Sequence, residues 1–215
     1  MPANILIIDD HGLICMAVRQ LVDFEADLHC LATCADLQTA EEVLGSEKVD
    51  VAVCDLNLGQ GNVFKFVARL SKLVPTRFLI SSALRPELYA PLCRRAGASG
   101  YIHKSAAPNV LVDAIRELAC QQTLACQQTE EERPWVGEVV HDHRPGSLLC
   151  GLSEREWQIL LELGRGNSTK EIARKFFVSD KTVESHRLSI KRKLAFESKD
   201  QLVSFAAELS EVMSD

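Results

Sequence analysis

The sequence predicts an α/β fold, a doubly wound five-stranded parallel sheet, followed by a small all-α domain. Three observations predict it. Short apolar runs, each closed by polar or turn residues, recur through the first 122 residues and read as strands buried on both faces. Segments with helical apolar spacing separate them, and strict strand–helix alternation implies a parallel sheet with helices on both sides. Beyond residue 150 the strand-like runs stop, and helix start signals follow at regular intervals.

The first strand, expected over 4–8, is Ile5-Leu6-Ile7-Ile8, closed by Asp9-Asp10. A helix follows over 12–24, then a strand at 29–34 and a helix at 37–44. The third strand, 49–54, ends in Val51-Ala52-Val53-Cys54 and is closed by Asp55. Val63, Phe66, Val67 and Leu70 give the helix at 63–73 its stripe. The fourth strand, 77–81, runs into Ser82. A helix at 86–96 leads to a fifth strand at 100–102, closed by Lys104. Val110, Leu111, Ala114, Ile115 and Leu118 mark the last helix of this part, 108–121. Residues 122–150 contain Pro134, Pro145, the acidic run Glu130-Glu131-Glu132 and few periodic apolar residues, so they read as a linker. The domains are therefore expected at 1–122 and 148–215, with a linker at 123–147. A near-tandem repeat, Ala119–Thr123 and Ala125–Thr129, is consistent with an extension of the preceding helix. In the last part, Ser153-x-x-Glu156, Ser168-x-x-Glu171 and Ser198-x-x-Gln201 fit capping boxes, and Ser179 can cap a fourth helix. The short link Phe177-Val178-Ser179 suits a helix-turn-helix.

Composition excludes several classes. At 47% hydrophobic and 25% charged the chain is ordinary for a globular protein. No apolar stretch is long enough to span a bilayer, and the N-terminus lacks a basic region followed by an apolar one, so a cytoplasmic protein with no membrane contact is expected. Eight cysteines lie mostly within apolar segments without paired spacing, and read as reduced, buried thiols. Cys30-x3-Cys34 and His141-x-His143 are too weak to mark a metal site. The net charge of −6 is uneven: residues 165–193 alone carry nine basic and three acidic groups. A confined basic stripe in an acidic protein points to a polyanion contact.

Functional groups of parallel sheets collect at the carboxyl ends of the strands. Asp9, Asp10, Asp55, Ser82 and Lys104 should therefore converge on one edge. Adjacent carboxylates repel, so a cation is expected between them, and Mg²⁺ prefers such oxygen ligands. A carboxylate can also accept a phosphoryl group, whose charge a metal and a lysine would compensate. On these residues the first part resembles the receiver domain of bacterial two-component response regulators, a flavodoxin-like fold, over about residues 3–122. The resemblance implies that Asp55 is the phospho-acceptor. Asp9 and Asp10 would hold Mg²⁺ with Asp55 and the main-chain carbonyl of Asn57. Ser82 would be the hydroxyl switch, Tyr101 the aromatic switch and Lys104 the family lysine. The chain departs from the family at Gly59, where proline is usual, at Val63 for glycine, at Ser105 for a cis-proline and at Cys15 for arginine.

The second part resembles the LuxR-type helix-turn-helix of the NarL/FixJ regulators. The motifs are Leu152-Ser153-x-Arg155-Glu156, Gly166-x-Ser168-x-Lys170-Glu171-Ile172-Ala173, Ser179-x-Lys181-Thr182-Val183-Glu184-Ser185-His186, and Lys193-Leu194. Independently, a helical wheel with Val183, Ile190 and Leu194 inward turns Lys181, Ser185, Leu188 and Arg192 outward. Lys170, Lys181 and Arg192 are natural phosphate contacts. Ser185 and Glu184 are candidate base readers, with Thr182 flanking them, and Leu188 suits a thymine methyl. His186 faces partly inward and reads as structural.

Together these imply a transcriptional response regulator, not an enzyme. A sensor histidine kinase would phosphorylate Asp55, and the active chain would bind the DNA major groove as a homodimer on two half-sites. Two rivals stand beside this reading. One is a regulator that works without phosphorylation, its first domain serving dimerisation or ligand sensing. The other is a phosphoryl-transfer enzyme, which would need an acid or base beside Asp55, and none is evident.

Overall fold

The structure is a computed structural model that describes residues 2–59, 61–124, 135–137 and 152–212. It divides into two units, 1–141 and 142–215. The first alternates β1 (Ala3–Ile8), α1 (Gly12–Asp23), β2 (Leu28–Cys34), α2 (Leu37–Ser46), β3 (Val51–Cys54), α3 (Val63–Leu70), β4 (Arg77–Ser82), α4 (Pro86–Arg95), β5 (Gly100–His103), α5 (Pro108–Leu124) and β6 (Val136–Gly137). Every pairing is parallel, in the order β2-β1-β3-β4-β5-β6.

The expected strands and helices are all present, and the sheet is one strand wider than expected. The sixth strand comes from the stretch read as a linker: Val136 and Gly137 pair with Gly100 and Tyr101 on what would be an open edge. Two residues are too few to show any periodicity, so nothing in the sequence marks this strand. The third helix stops at Leu70 rather than 73. Its last carbonyl, Leu70 O, accepts from the turn amides of both Leu73 and Val74, and Pro75 disfavours helical geometry in the residue before it.

Ile5, Leu6, Ile7 and Ile8 are at most 1% exposed, which accounts for the unbroken apolar run of β1. Ile5, Ile7, Val51, Val53 and Leu79 pack on Val18 and Val22 of α1 and on Leu111, Ile115 and Leu118 of α5. Each fully buried aliphatic side chain contributes about 1.5–3 kcal/mol. Of the six described cysteines five are buried, as expected, but Cys120 is exposed on α5. Cys126, Cys150, the second copy of the repeat, the acidic run, Pro134, Pro145 and His141-x-His143 lie outside the described residues.

The second unit holds α6 (Glu154–Gly164), α7 (Thr169–Phe176), α8 (Asp180–Lys193) and α9 (Lys199–Val212). Of the three expected capping boxes, those at Ser153 and Ser168 form in full. Ser179 caps α8 by accepting from Thr182 N. Ser198 and Gln201 exchange hydrogen bonds before α9. Ile159, Leu160, Ile172, Val183, Ile190, Leu202, Phe205 and Leu209 form the core. No described helix is long and apolar enough to cross a membrane.

Candidate phosphoryl-acceptor site and nucleic-acid interface

The sheet order turns back between β1 and β3, and a crevice opens where the crossovers diverge at such a switch point. Asp9 follows β1 and Asp55 follows β3, so the carboxylates stand at that crevice. The ladder continues one bond past each strand: Asp9 N donates to Cys34 O at 3.0 Å, and Asp55 N to Ile8 O at 2.8 Å. On the next strands, Lys104 N donates to Ser82 O at 2.9 Å. The site residues are thus positioned by sheet hydrogen bonds rather than by loops.

Lys104 Nζ donates to Asp55 Oδ2 at 2.7 Å and to Asp9 Oδ2 at 2.8 Å. Asp9 and Asp55 are buried, at 5% and 4% exposure. Burial alone would lower the Lys104 pKa, but the hydrogen bonds and charges of Asp55 and Asp9 outweigh it and raise the pKa. Asp10 lies further out. Its Oδ2 accepts from Gly59 N at 3.1 Å, and this amide, with His11 beside it, holds the carboxyl below its ordinary range. His11, which sequence reasoning passed over, puts Nδ1 2.8 Å from Asp10 Oδ1 and 3.2 Å from Asp9 Oδ1. Its place directly after the acidic pair was the available signal. Ligand atoms of Asp9, Asp10, His11 and Asp55 all lie within 4.8 Å of one another. Three carboxylates at that spacing are a donor set that suits a hard divalent cation. Asn57 N donates to Asp55 Oδ1 at 3.2 Å.

Ser82 is fully buried at the end of β4, and its Oγ accepts from Leu84 N at 3.2 Å. Tyr101, also fully buried, donates from its hydroxyl to Leu84 O at 2.8 Å. His103 Nδ1 accepts from Ser105 N, so the tautomer that fits carries its proton on Nε2, which lies 3.1 Å from Ala83 O. The loop after β4 is therefore fastened to β5 at two successive residues, Ala83 to His103 and Leu84 to Tyr101.

In the second unit, Lys181, Ser185, Leu188 and Arg192 are exposed on α8 and Lys170 on α7. Leu188 is 57% exposed. Other basic residues of the stripe are paired: Lys193 with Glu156, Lys175 and Arg165 with Glu162, and Arg187 with Glu184. Thr182 Oγ1 lies 2.8 Å from Ser179 Oγ, within the cap. Glu184 accepts from Thr169 Oγ1 at 2.8 Å, Arg187 at 3.1 Å and Lys199 at 3.3 Å. Its carboxylate, 36% exposed, thereby links α7, α8 and α9. His186 is half-buried.

Comparison with known proteins assigns a family to each of the two parts of the chain. Residues 5–116 match the family described as response regulator receiver domain, and residues 151–206 match bacterial regulatory proteins, luxR family. The chain is 32% identical over 210 residues to the oxygen regulatory protein NreC of Staphylococcus haemolyticus, covering 94% of this chain and 96% of that protein. It is 31% identical over 208 residues to NreC of Staphylococcus carnosus, with the same coverage of 94% and 96%. Among solved structures it resembles RcsB from Salmonella enterica serovar Typhimurium bound to promoter rprA in the presence of phosphomimetic BeF3-. That match has a TM-score of 0.69 at 20% identity and covers 96% of this chain and 99% of that one. At that identity the likeness is one of fold.

Proposed function

The chain belongs to the response regulators that carry a LuxR-type DNA-binding domain, and we propose that a sensor histidine kinase switches it by phosphorylating Asp55. One observation carries the proposal: a single ammonium, Lys104, bridges two buried carboxylates, Asp9 and Asp55, at the switch point of the sheet. An Asp55 oxygen would attack the phosphorus of a phosphohistidine, forming the O–P bond as the N–P bond breaks and leaves the imidazole to take up a proton. Lys104 is placed to follow the charge from the Asp55 oxygen to the phosphoryl oxygens, and Ser82 Oγ to turn from Leu84 N toward them. Asp9, Asp10, Asp55 and the main-chain carbonyl of Asn57 are the groups to hold Mg²⁺, which would supply charge neutralisation for the transferred group. Tyr101 would respond through Leu84, whose carbonyl its hydroxyl already holds.

On the output side, Lys170, Lys181 and Arg192 are proposed as phosphate contacts in the major groove. Ser185 and Leu188 would face base edges, with Thr182 at the helix start. Glu184 is given a bracing role. A symmetric pair of such helices would read two half-sites, so the active form is proposed to be a homodimer.

Incubation with acetyl phosphate and Mg²⁺ should add one phosphoryl group by mass spectrometry, and Asp55→Asn should abolish it; equal labelling of the Asn variant would refute the assignment. A second reading, a regulator that needs no phosphorylation, draws on one fact. All six carboxylate oxygens of Asp9, Asp10 and Asp55 already have protein donors, from Lys104, His11, Gly59 and Asn57. The same labelling experiment separates the two.

A further inference from the structure

The sixth strand sits where the receiver's switch residues meet the rest of the chain. Val136 N donates to Ser99 O at 3.0 Å, and Val136 and Gly137 continue in register against Gly100 and Tyr101. Val136 is 4% exposed and packs with Ile102 of β5 and with Leu111, Val112 and Ile115 of α5. Immediately before it, the Trp135 ring lies against the Arg94 guanidinium of α4, 5.8 Å from the ring centroid. Three residues thus touch α4, β5 and α5 together.

The fit depends on glycine on both sides. Gly137 has φ +94°, and a Cβ there would stand 2.1 Å from Tyr101 O; a Cβ on Gly100 would stand 2.7 Å from Val136 O. Backbone therefore approaches backbone more closely than any side chain allows. Among the described residues the seat includes one buried apolar side chain, a short run of edge pairing and a cation–π contact. So close a fit of backbone on backbone tolerates little movement of β5.

Such a shift has a route. Ser82 Oγ holds Leu84 N, Leu84 O holds the Tyr101 hydroxyl, and Tyr101 is the residue against which Gly137 is fitted. We infer that Trp135–Gly137 is a regulatory strap, seated on the β5 edge in the unphosphorylated chain and released when Ser82 and Tyr101 change partners. The strap keeps the chain in its low-affinity state for DNA. This rests on the proposed phosphorylation of Asp55.

The test uses the full chain with Trp157→Phe, so that Trp135 is its one tryptophan. Acetyl phosphate and Mg²⁺ are added while mass and indole emission are followed. The expected result is one added phosphoryl group together with a red shift, as Trp135 leaves Arg94. Labelling without a change in emission overturns the strap and leaves the phosphorylation reading intact. Absence of labelling overturns that reading and the strap with it. A second arm uses Gly137→Val, which cannot seat, and Trp135→Ala, which removes the anchor without straining the backbone. Without phosphodonor, both should bind a duplex selected from a random pool by the phosphorylated chain as tightly as the phosphorylated wild type does. If Trp135→Ala, folded by circular dichroism, binds no better than the unphosphorylated wild type, the strap has no regulatory role.

Discussion

Replacing Lys104 by Met tests the electrostatics of the acceptor site directly. Lys104 is 19% exposed at its side chain, against 5% for Asp9 and 3% for Asp55. Methionine keeps most of the stem and removes the only ammonium between the two carboxylates. Removing one partner from a buried ion pair costs about 3–5 kcal/mol because the remaining charge is left uncompensated. Lys104 retains some contact with water, so the lower end applies, about 3 kcal/mol. In urea, at a slope of roughly 1.5 kcal/mol per molar, the unfolding midpoint should fall by about 2 M. The assay is Trp135 emission in a Trp157→Phe background with EDTA present, which follows the receiver unit alone. Mg²⁺ should restore stability by about 1.4 kcal/mol for each tenfold excess over its dissociation constant. Adding Asp55→Asn to the Met variant removes one of the two stranded charges and with it their mutual repulsion, so the two changes should couple by roughly 1–3 kcal/mol. A midpoint unmoved in EDTA, or two costs that simply add, would refute the view that Lys104 stands in for a cation.

Three further outcomes are expected. On α8, Lys181→Ala should weaken binding to all sequences alike and reduce the salt slope by about one, whereas Ser185→Ala and Leu188→Ala should each change base preference at one position by roughly 1–3 kcal/mol; isotherms at several salt concentrations on single-base variants decide this. Ala195 lies at φ +50° after α8, so Ala195→Gly should stabilise the helical unit by about 1 kcal/mol, read from urea unfolding of the full chain by Trp157 emission. Burial alone would raise the Glu156 pKa, but hydrogen bonds from Lys193, Ser189 and Ser153 hold it at about 2. Its folded value lies below its unfolded one, so its contribution is complete above the unfolded pKa and is lost as pH falls from about 4.5 to about 2. An acid titration followed by Trp157 emission should show that slope, and Glu156→Gln should flatten it.

The residues that sequence reasoning reads best are those whose position follows from strand ends. Asp9, Asp55, Ser82 and Lys104 stand one ladder bond beyond, or at the end of, apolar runs, and chain geometry alone brings them together. The four C-terminal helices were equally legible, because their caps are local. What escaped depends on long-range closure. Val136 and Gly137 form a strand only because Gly100 leaves room for them. The partners of Glu184, Thr169 and Lys199, are distant in sequence, and no helical wheel shows them. His11 and the Gly59 amide escaped for a related reason. Each completes the coordination of Asp10, and that requirement becomes visible only when β1 and the loop after β3 are placed side by side.

The sixth strand also sets a length. With Gly137 fixed to the sheet, about 15 residues lead to Leu152, the first described residue of the second unit, and a fully extended chain of that length spans at most about 50 Å. Counted instead from the end of α5 at Leu124, the same limit is roughly 95 Å over about 28 residues. Seating three residues on β5 thus nearly halves the reach that covalent geometry alone permits between the last anchored residue and Leu152.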